Sequence, residues 1–155
     1  MSKFDELLDK SVEYQSLSAE ELDMVKDELV DPESPEDRAT LLHILGHAGG
    51  PEMVPVVEPF LDSPEDPFLA RMALQVLCNS WGLAEKYHDR ISEFIRGVPW
   101  DDEDDVVRDM AISCAGISLR EHWDPELAGM LIGIAQDESE EELTRNWAMF
   151  SLGRA

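Results

Sequence analysis

VVRDMAISCAG, residues 106–116, decides how the chain is read. Arg108 is followed three residues on by Ala111, seven on by Ala115, and eight on by Gly116. Apolar residues four apart share one stripe of a helix, and glycine tolerates the left-handed backbone that can end one, so the segment predicts a helix with a buried stripe and a stop. The same frame recurs without gaps in EDRATLLHILG (36–46), LARMALQVLCN (69–79) and LTRNWAMFSLG (143–153), with Asn79 in place of glycine once. The four arginines, Arg38, Arg71, Arg108 and Arg145, stand 33, 37 and 37 residues apart. A near-constant period of this length is the mark of a repeat architecture.

Shorter apolar segments fill the intervals: PEMVPVVEPFL (51–61), AEKYHDRISEFI (84–95) and DPELAGMLIGIA (124–135). Each period then reads as helix, tight turn, helix, with GHAGG (46–50), SWGL (80–83) and SLREHW (118–123) as the turns. Pro55 and Pro59 are expected to bend or shorten the helix at 51–61, since proline lacks an N–H and clashes with the preceding turn. Upstream, SAEELDMVKDELV (18–30) carries a capping box from Ser18 to Glu21, and residues 3–15 supply its partner helix. The expectation is one all-α domain over residues 1–155: roughly nine helices in about four helix-pair repeats beginning near 34, 66, 103 and 139, after an atypical pair at 1–30.

Composition agrees with a folded chain. Its 155 residues are 43% hydrophobic, no apolar run approaches the roughly 18 residues of a membrane span, and the N-terminus lacks the apolar core of a signal peptide, so a cytoplasmic protein is expected. Cys78 and Cys114 both fall in apolar helical patterns and read as core thiols. The charge is 35 acids against 12 bases, a formal net of −23. Phosphate backbones and anionic lipid repel such a chain and basic proteins attract it, so no nucleic acid and no membrane are expected as partners.

The repeat resembles the HEAT family, including the short HEAT-like repeats of bilin-lyase type. The Asp- and Pro-rich lead-in, the arginine, Ala or Leu three on and the Leu-Gly exit carry that resemblance, most clearly in DDVVRDMAISCAG and ELTRNWAMFSLG. It implies an α-solenoid of stacked helix pairs whose second helices line a concave face, and a ladder of the repeated arginines with acids of neighbouring repeats. Asp37 departs from it, standing where an apolar residue usually precedes the arginine.

The family's enzymes leave no trace in the residues. HEAT-like di-iron hydroxylases are recognised by repeated His-Glu pairs, and no His-Glu dipeptide occurs here. His43 and His47 are one helical turn apart, but zinc sites usually need a third ligand and none lies nearby in sequence, so packing is expected for them. No GxSxG, P-loop, CxxC or dinucleotide fingerprint is present. No catalytic residue, cofactor or metal is expected.

The candidate site is the acid run WDDEDD, residues 100–105, in which Asp101, Asp102, Glu103, Asp104 and Asp105 follow Trp100. A calcium loop starting at Asp101 fails, because Val106 and Ile112 occupy the positions that need glycine and glutamate. One or two of these acids can start a helix by facing its positive end and capping free N–H groups. Similar starts occur at SPED (34–37), SPEDP (63–67) and SEEEL (139–143). Five exceed that need. In a solenoid all between-repeat turns lie along one edge, and these stretches hold 17 of the 35 acids and no lysine or arginine, so the surplus predicts one acidic edge.

Glu65 and Asp66 belong to that edge; Glu85, Asp89 and Glu93 form a second acidic stripe at helical spacing, with Lys86 and Arg90 placed to pair with it. Trp100 and Trp123, at turns, read as interface anchors, with capping of the core end an equal reading for Trp100, while Trp147 reads as core. The whole looks like the compact acidic immunity or antitoxin proteins that neutralise a basic toxin enzyme by masking its active site or substrate groove. The chain is expected to be a monomer when free. The alternatives are a general adaptor using the concave face and a HEAT-like lyase or hydroxylase.

Overall fold

The computed structural model describes residues 4–13, 15–33 and 35–155. Among them the chain is all-helical, with nine α-helices and no strand. It packs into two compact units, Met1–Trp81 and Gly82–Ala155. The division falls in the turn SWGL, where Gly82 takes a φ of 68° that a side chain would strain. No helix of the described residues is long and apolar enough to cross a membrane.

The first unit contains α1 (Asp5–Val12), α2 (Ala19–Val30), α3 (Arg38–Ala48), α4 (Val54–Val57) and α5 (Pro67–Leu74). Leu41, Leu42, Ile44 and Leu45 of α3 are fully buried, and α3 packs against α1, α2 and α5. The capping box forms as the sequence predicts: the Glu21 N–H donates to Ser18 Oγ at 3.1 Å, and the Ser18 N–H donates to Glu21 Oε2 at 2.7 Å. Lys10 then donates to both Glu21 oxygens, at 3.0 and 2.9 Å, tying α1 to α2. The prolines act as expected, reducing residues 51–61 to α4 flanked by 3-10 turns at Pro51–Met53 and Glu58–Leu61. Ser34, the expected cap of the third helix, lies outside the described residues. Beyond α5 the chain continues as a π-helical segment, Gln75–Ser80, where the repeat had predicted an uninterrupted α-helix.

The second unit contains α6 (His88–Arg96), α7 (Val106–Glu121), α8 (Pro125–Gln136) and α9 (Glu142–Arg154). Its centre is α7, which is buried continuously from Ala111 to Leu119 and packs against both α6 and α9. Such a helix must be apolar or small on every side, and the sequence AISCAGISL meets that need.

The repeated glycines do a different job from the one their spacing predicted. Gly46, Gly116 and Gly153 lie inside their helices, and among the described residues only Gly82, Gly97 and Asp105 have positive φ. Gly116 lets α9 approach: a Cβ there would strike the Ser151 carbonyl oxygen and lie 2.7 Å from Ser151 Oγ. Correspondingly, α9 buries only its small stripe, Thr144, Ala148 and Ser151, and turns Leu143, Trp147 and Phe150 outward. Trp147, expected in the core, is therefore 37% exposed, because at this close crossing only small side chains fit between the helices.

Candidate protein-binding interface

The acid run forms the connection between α6 and α7. Gly97, with φ at 99°, ends α6, and Trp100 lies edge-on to Phe94, ring centroids 6.1 Å apart, closing the end of the core while staying half-buried. Asp101 starts α7 from five residues before its first residue. Its Oδ1 accepts from the Val107 N–H at 3.1 Å and the Asp102 N–H at 2.7 Å, and its Oδ2 accepts from the Arg108 N–H at 3.0 Å. One carboxylate thus serves two of the helix's free N–H groups. Asp105, at the formal cap position, makes no capping bond; it takes the left-handed conformation, φ 54°, which aspartate tolerates better than most residues. Asp102 folds the turn by accepting from the Asp104 N–H at 2.9 Å.

Arg108 fixes the base of this turn. Its Nε donates to the Ile95 carbonyl at 2.9 Å, and its two terminal nitrogens grip Glu140 at 2.8 and 2.6 Å. Asp105 lies 3.9 Å away. Nearby, Thr144 Oγ1 donates to Asp109 at 3.0 Å. These bonds bring the acid run preceding α9 against the one preceding α7. The electrostatics record that approach: burial, and then the charges of Asp101, Glu140 and Glu141, raise Asp105 above the ordinary carboxylate value against the pull of Arg108. Burial likewise raises Asp109, whereas the Arg108 hydrogen bonds hold Glu140 low. Asp102, Glu103 and Asp104 are exposed on the crest of the turn, and among the described residues no basic side chain is bonded to them.

Other helix starts vary. Asp66 caps α5 by accepting from the Phe68 N–H at 3.2 Å, whereas Ser63 bonds back to the Phe60 carbonyl and α9 has no side-chain cap. Of the repeated arginines, Arg108 alone is bonded to an acid among the described residues; Arg38 and Arg71 lie over the rings of Phe60 and Phe68, and Arg145, whose Nε is buried without a hydrogen-bond partner, acts on Asp137 through its charge alone. The implied ladder is thus a single rung here.

The remaining predicted residues separate. Glu65 is exposed in the first unit beside Asp66. Glu85 precedes α6, which begins at His88, so the expected stripe reduces to Asp89 and Glu93 on the helix, with Arg90 Nε 3.3 Å from Glu93. Lys86 lies over the Tyr87 ring instead of pairing with the stripe. Trp123 is exposed at 59% at the turn before α8.

Two surfaces escaped the sequence reading. One is the outward face of α9, where Leu143, Trp147 and Phe150, exposed by 60, 37 and 57%, follow one another at helical spacing. The other is α2, whose exposed Glu20, Asp23 and Asp27 flank the exposed Met24 and Val30. The helical period of the acids was available for α2. For α9 no local signal existed, because apolar residues stand on both of its faces.

A third arrangement has the components of a catalytic triad. His88 Nδ1 is 2.8 Å from Ser118 Oγ, and His88 Nε2 is 2.7 Å from Asp124 Oδ2. Ser118 is fully buried in α7, so its hydroxyl cannot meet a substrate; the chain of bonds instead ties α6 to α7 and to the start of α8, which Asp124 caps through the Glu126 N–H. The His88 bond holds the Asp124 carboxyl below its ordinary value. A lowered carboxylate stabilises the fold above its unfolded pKa and loses that contribution as pH falls through the folded one. Asp124→Asn keeps the helix cap, so the variant is expected to unfold at lower urea than the parent at pH 7, with the gap closing towards pH 3. Urea midpoints at both pH values check it.

No family model matches the chain, and no curated protein or solved structure matches it.

Proposed function

We propose that the protein is a binding module that neutralises a basic protein, in the manner of an acidic immunity or antitoxin protein, by covering an active site or substrate groove. Its HEAT-like α-solenoid arrangement is part of the same proposal, supported by the arginine period and by the packing of successive helices within each unit. The observation that carries it is the crest Asp102–Glu103–Asp104, held by Asp101 and Arg108 beside Glu140 and Glu141. The fold keeps like charges together there although burial and repulsion raise Asp105. A basic partner relieves that repulsion, and like-charge sites of this kind cluster where function opposes stability. The exposed Leu143, Trp147 and Phe150 of α9 begin at the end of the acid run Glu140–Glu142 and supply the apolar and aromatic area that binding hot spots use. Cytoplasmic action as a monomer when free, without a cofactor, completes the reading.

The test spares Asp101 and Asp105 and changes Asp102 only to Asn, which keeps the oxygen that accepts from the Asp104 N–H. Asp102→Asn, Glu103→Gln and Asp104→Asn are combined, and wild type and variant are used to capture partners from the producing cells. The expected result is a basic protein retained by wild type in a salt-sensitive manner, bound at least about tenfold more weakly by the variant, chiefly through slower association. Thermal unfolding of the variant is unchanged or higher. A retained partner that is acidic, or that binds the variant equally well, overturns the reading.

A further inference from the structure

On α3, His43 Nε2 and His47 Nε2 lie 2.9 Å apart, within hydrogen-bond distance, with the ring centroids 4.7 Å apart and the ring planes 24° from parallel. The sequence reading gave this pair to packing. Packing accounts for His43, which is half-buried, but not for His47, which is exposed and needs no nitrogen partner while water is available. The pair, with Gly46, Met72, Gln75, Val76 and Ser80, lines a cleft of about 20 Å³, large enough for one water molecule.

The far wall of the cleft is the π-helical segment Gln75–Ser80, and such segments are rare and concentrate at functional sites. Gly46 admits that wall: a Cβ at this position would lie 3.0 Å from Val76 Cγ2 and 3.4 Å from Ser80 Oγ. Repeat glycine, π turn and histidine pair therefore build one small site within the first unit.

We propose that His43 and His47 form a chelating site for a divalent transition metal, copper(II) first and nickel(II) next. Imidazole nitrogens bind such metals at about 2.0–2.1 Å, and at that distance a separation of 2.9 Å subtends about 90° at the metal. That is the cis angle of tetragonal copper(II) and nickel(II), whereas tetrahedral zinc needs nitrogens spread wider. Solvent water, reached past the exposed His47, supplies the remaining ligands. A net charge of −23 raises the local concentration of any cation, and copper heads the affinity order for nitrogen donors.

The experiment uses the full chain and copper(II) chloride at one equivalent, with free glycine as competitor to remove metal held by carboxylates alone. Electron paramagnetic resonance should show tetragonal copper coupled to two imidazole nitrogens. His43→Ala and His47→Ala should each abolish the two-nitrogen pattern and weaken binding at least about tenfold, as loss of half a chelate requires. His122→Ala should change neither. Circular dichroism confirms folding, and the exposed His47 makes its variant the safer of the two. A two-nitrogen signal that persists in His47→Ala, copper lost entirely to glycine, or zinc bound as tightly as copper overturns the proposal.

Discussion

Arg108→Ala is expected to destabilise the second unit by about 2–4 kcal/mol. The Arg108 side chain is 16% exposed and that of Glu140 20%, so the pair is partly removed from water. Breaking a buried pair costs about 3–5 kcal/mol because the survivor is left without a partner, and the remaining exposure trims that figure. Two further losses accompany it: the Ile95 carbonyl at the end of α6 loses its donor, and Glu140 joins Asp105 as an uncompensated neighbour. Arg108→Lys should recover part of the loss by keeping the charge, but lysine has no planar fork to grip Glu140 while reaching Ile95. Urea unfolding of Arg108→Ala, Glu140→Ala and the double variant checks the account. If the arginine matters through Glu140, the double variant is clearly less destabilised than the sum of the singles. Additive losses would assign the effect to packing.

Gly116→Ala is expected to lower stability by about 2 kcal/mol or more, although alanine favours a helix over glycine by about 1 kcal/mol. The new Cβ meets the backbone of Ser151, which no rotamer change can move aside. Relief requires α9 to retreat from α7, which loosens the Thr144, Ala148 and Ser151 stripe and disturbs the bond from Ser151 Oγ to the Ile112 carbonyl at 2.5 Å. Overpacking of this kind costs about 1–3 kcal/mol when the core can adjust, and a backbone obstacle leaves little adjustment. Gly129→Ala is the control. Nothing lies within 4 Å of a Cβ there, so the same substitution on α8 should raise stability by about 0.5–1 kcal/mol. Thermal unfolding of the two variants should shift in opposite directions; a shared direction would refute the role given to Gly116.

The helices were legible because each carries local instructions: Ser18 with Glu21 for α2, Asp66 and Asp124 before prolines at α5 and α8, and Pro55 and Pro59 where the chain breaks into short turns. The acid run was legible as a surplus, since the number of carboxylates a helix start can use is a property of one helix end. Its internal division was not. That Asp101 caps α7 while Asp105 does not depends on how six residues fold back, and that Arg108 reaches Glu140 depends on a turn 32 residues further on.

By itself, then, the sequence determined an all-helical chain, its element boundaries to within a few residues, its arginine period and its concentration of negative charge, because propensity, capping and charge act between neighbours in the chain. Only the tertiary structure decided why Gly46 and Gly116 are glycines, why Trp147 and Phe150 face outward, which nitrogens of His43 and His47 meet, and which acids share the crest at Asp102. Those outcomes turn on the distance between elements far apart in sequence, and close packing, which admits small side chains at a crossing and excludes large ones, sets that distance.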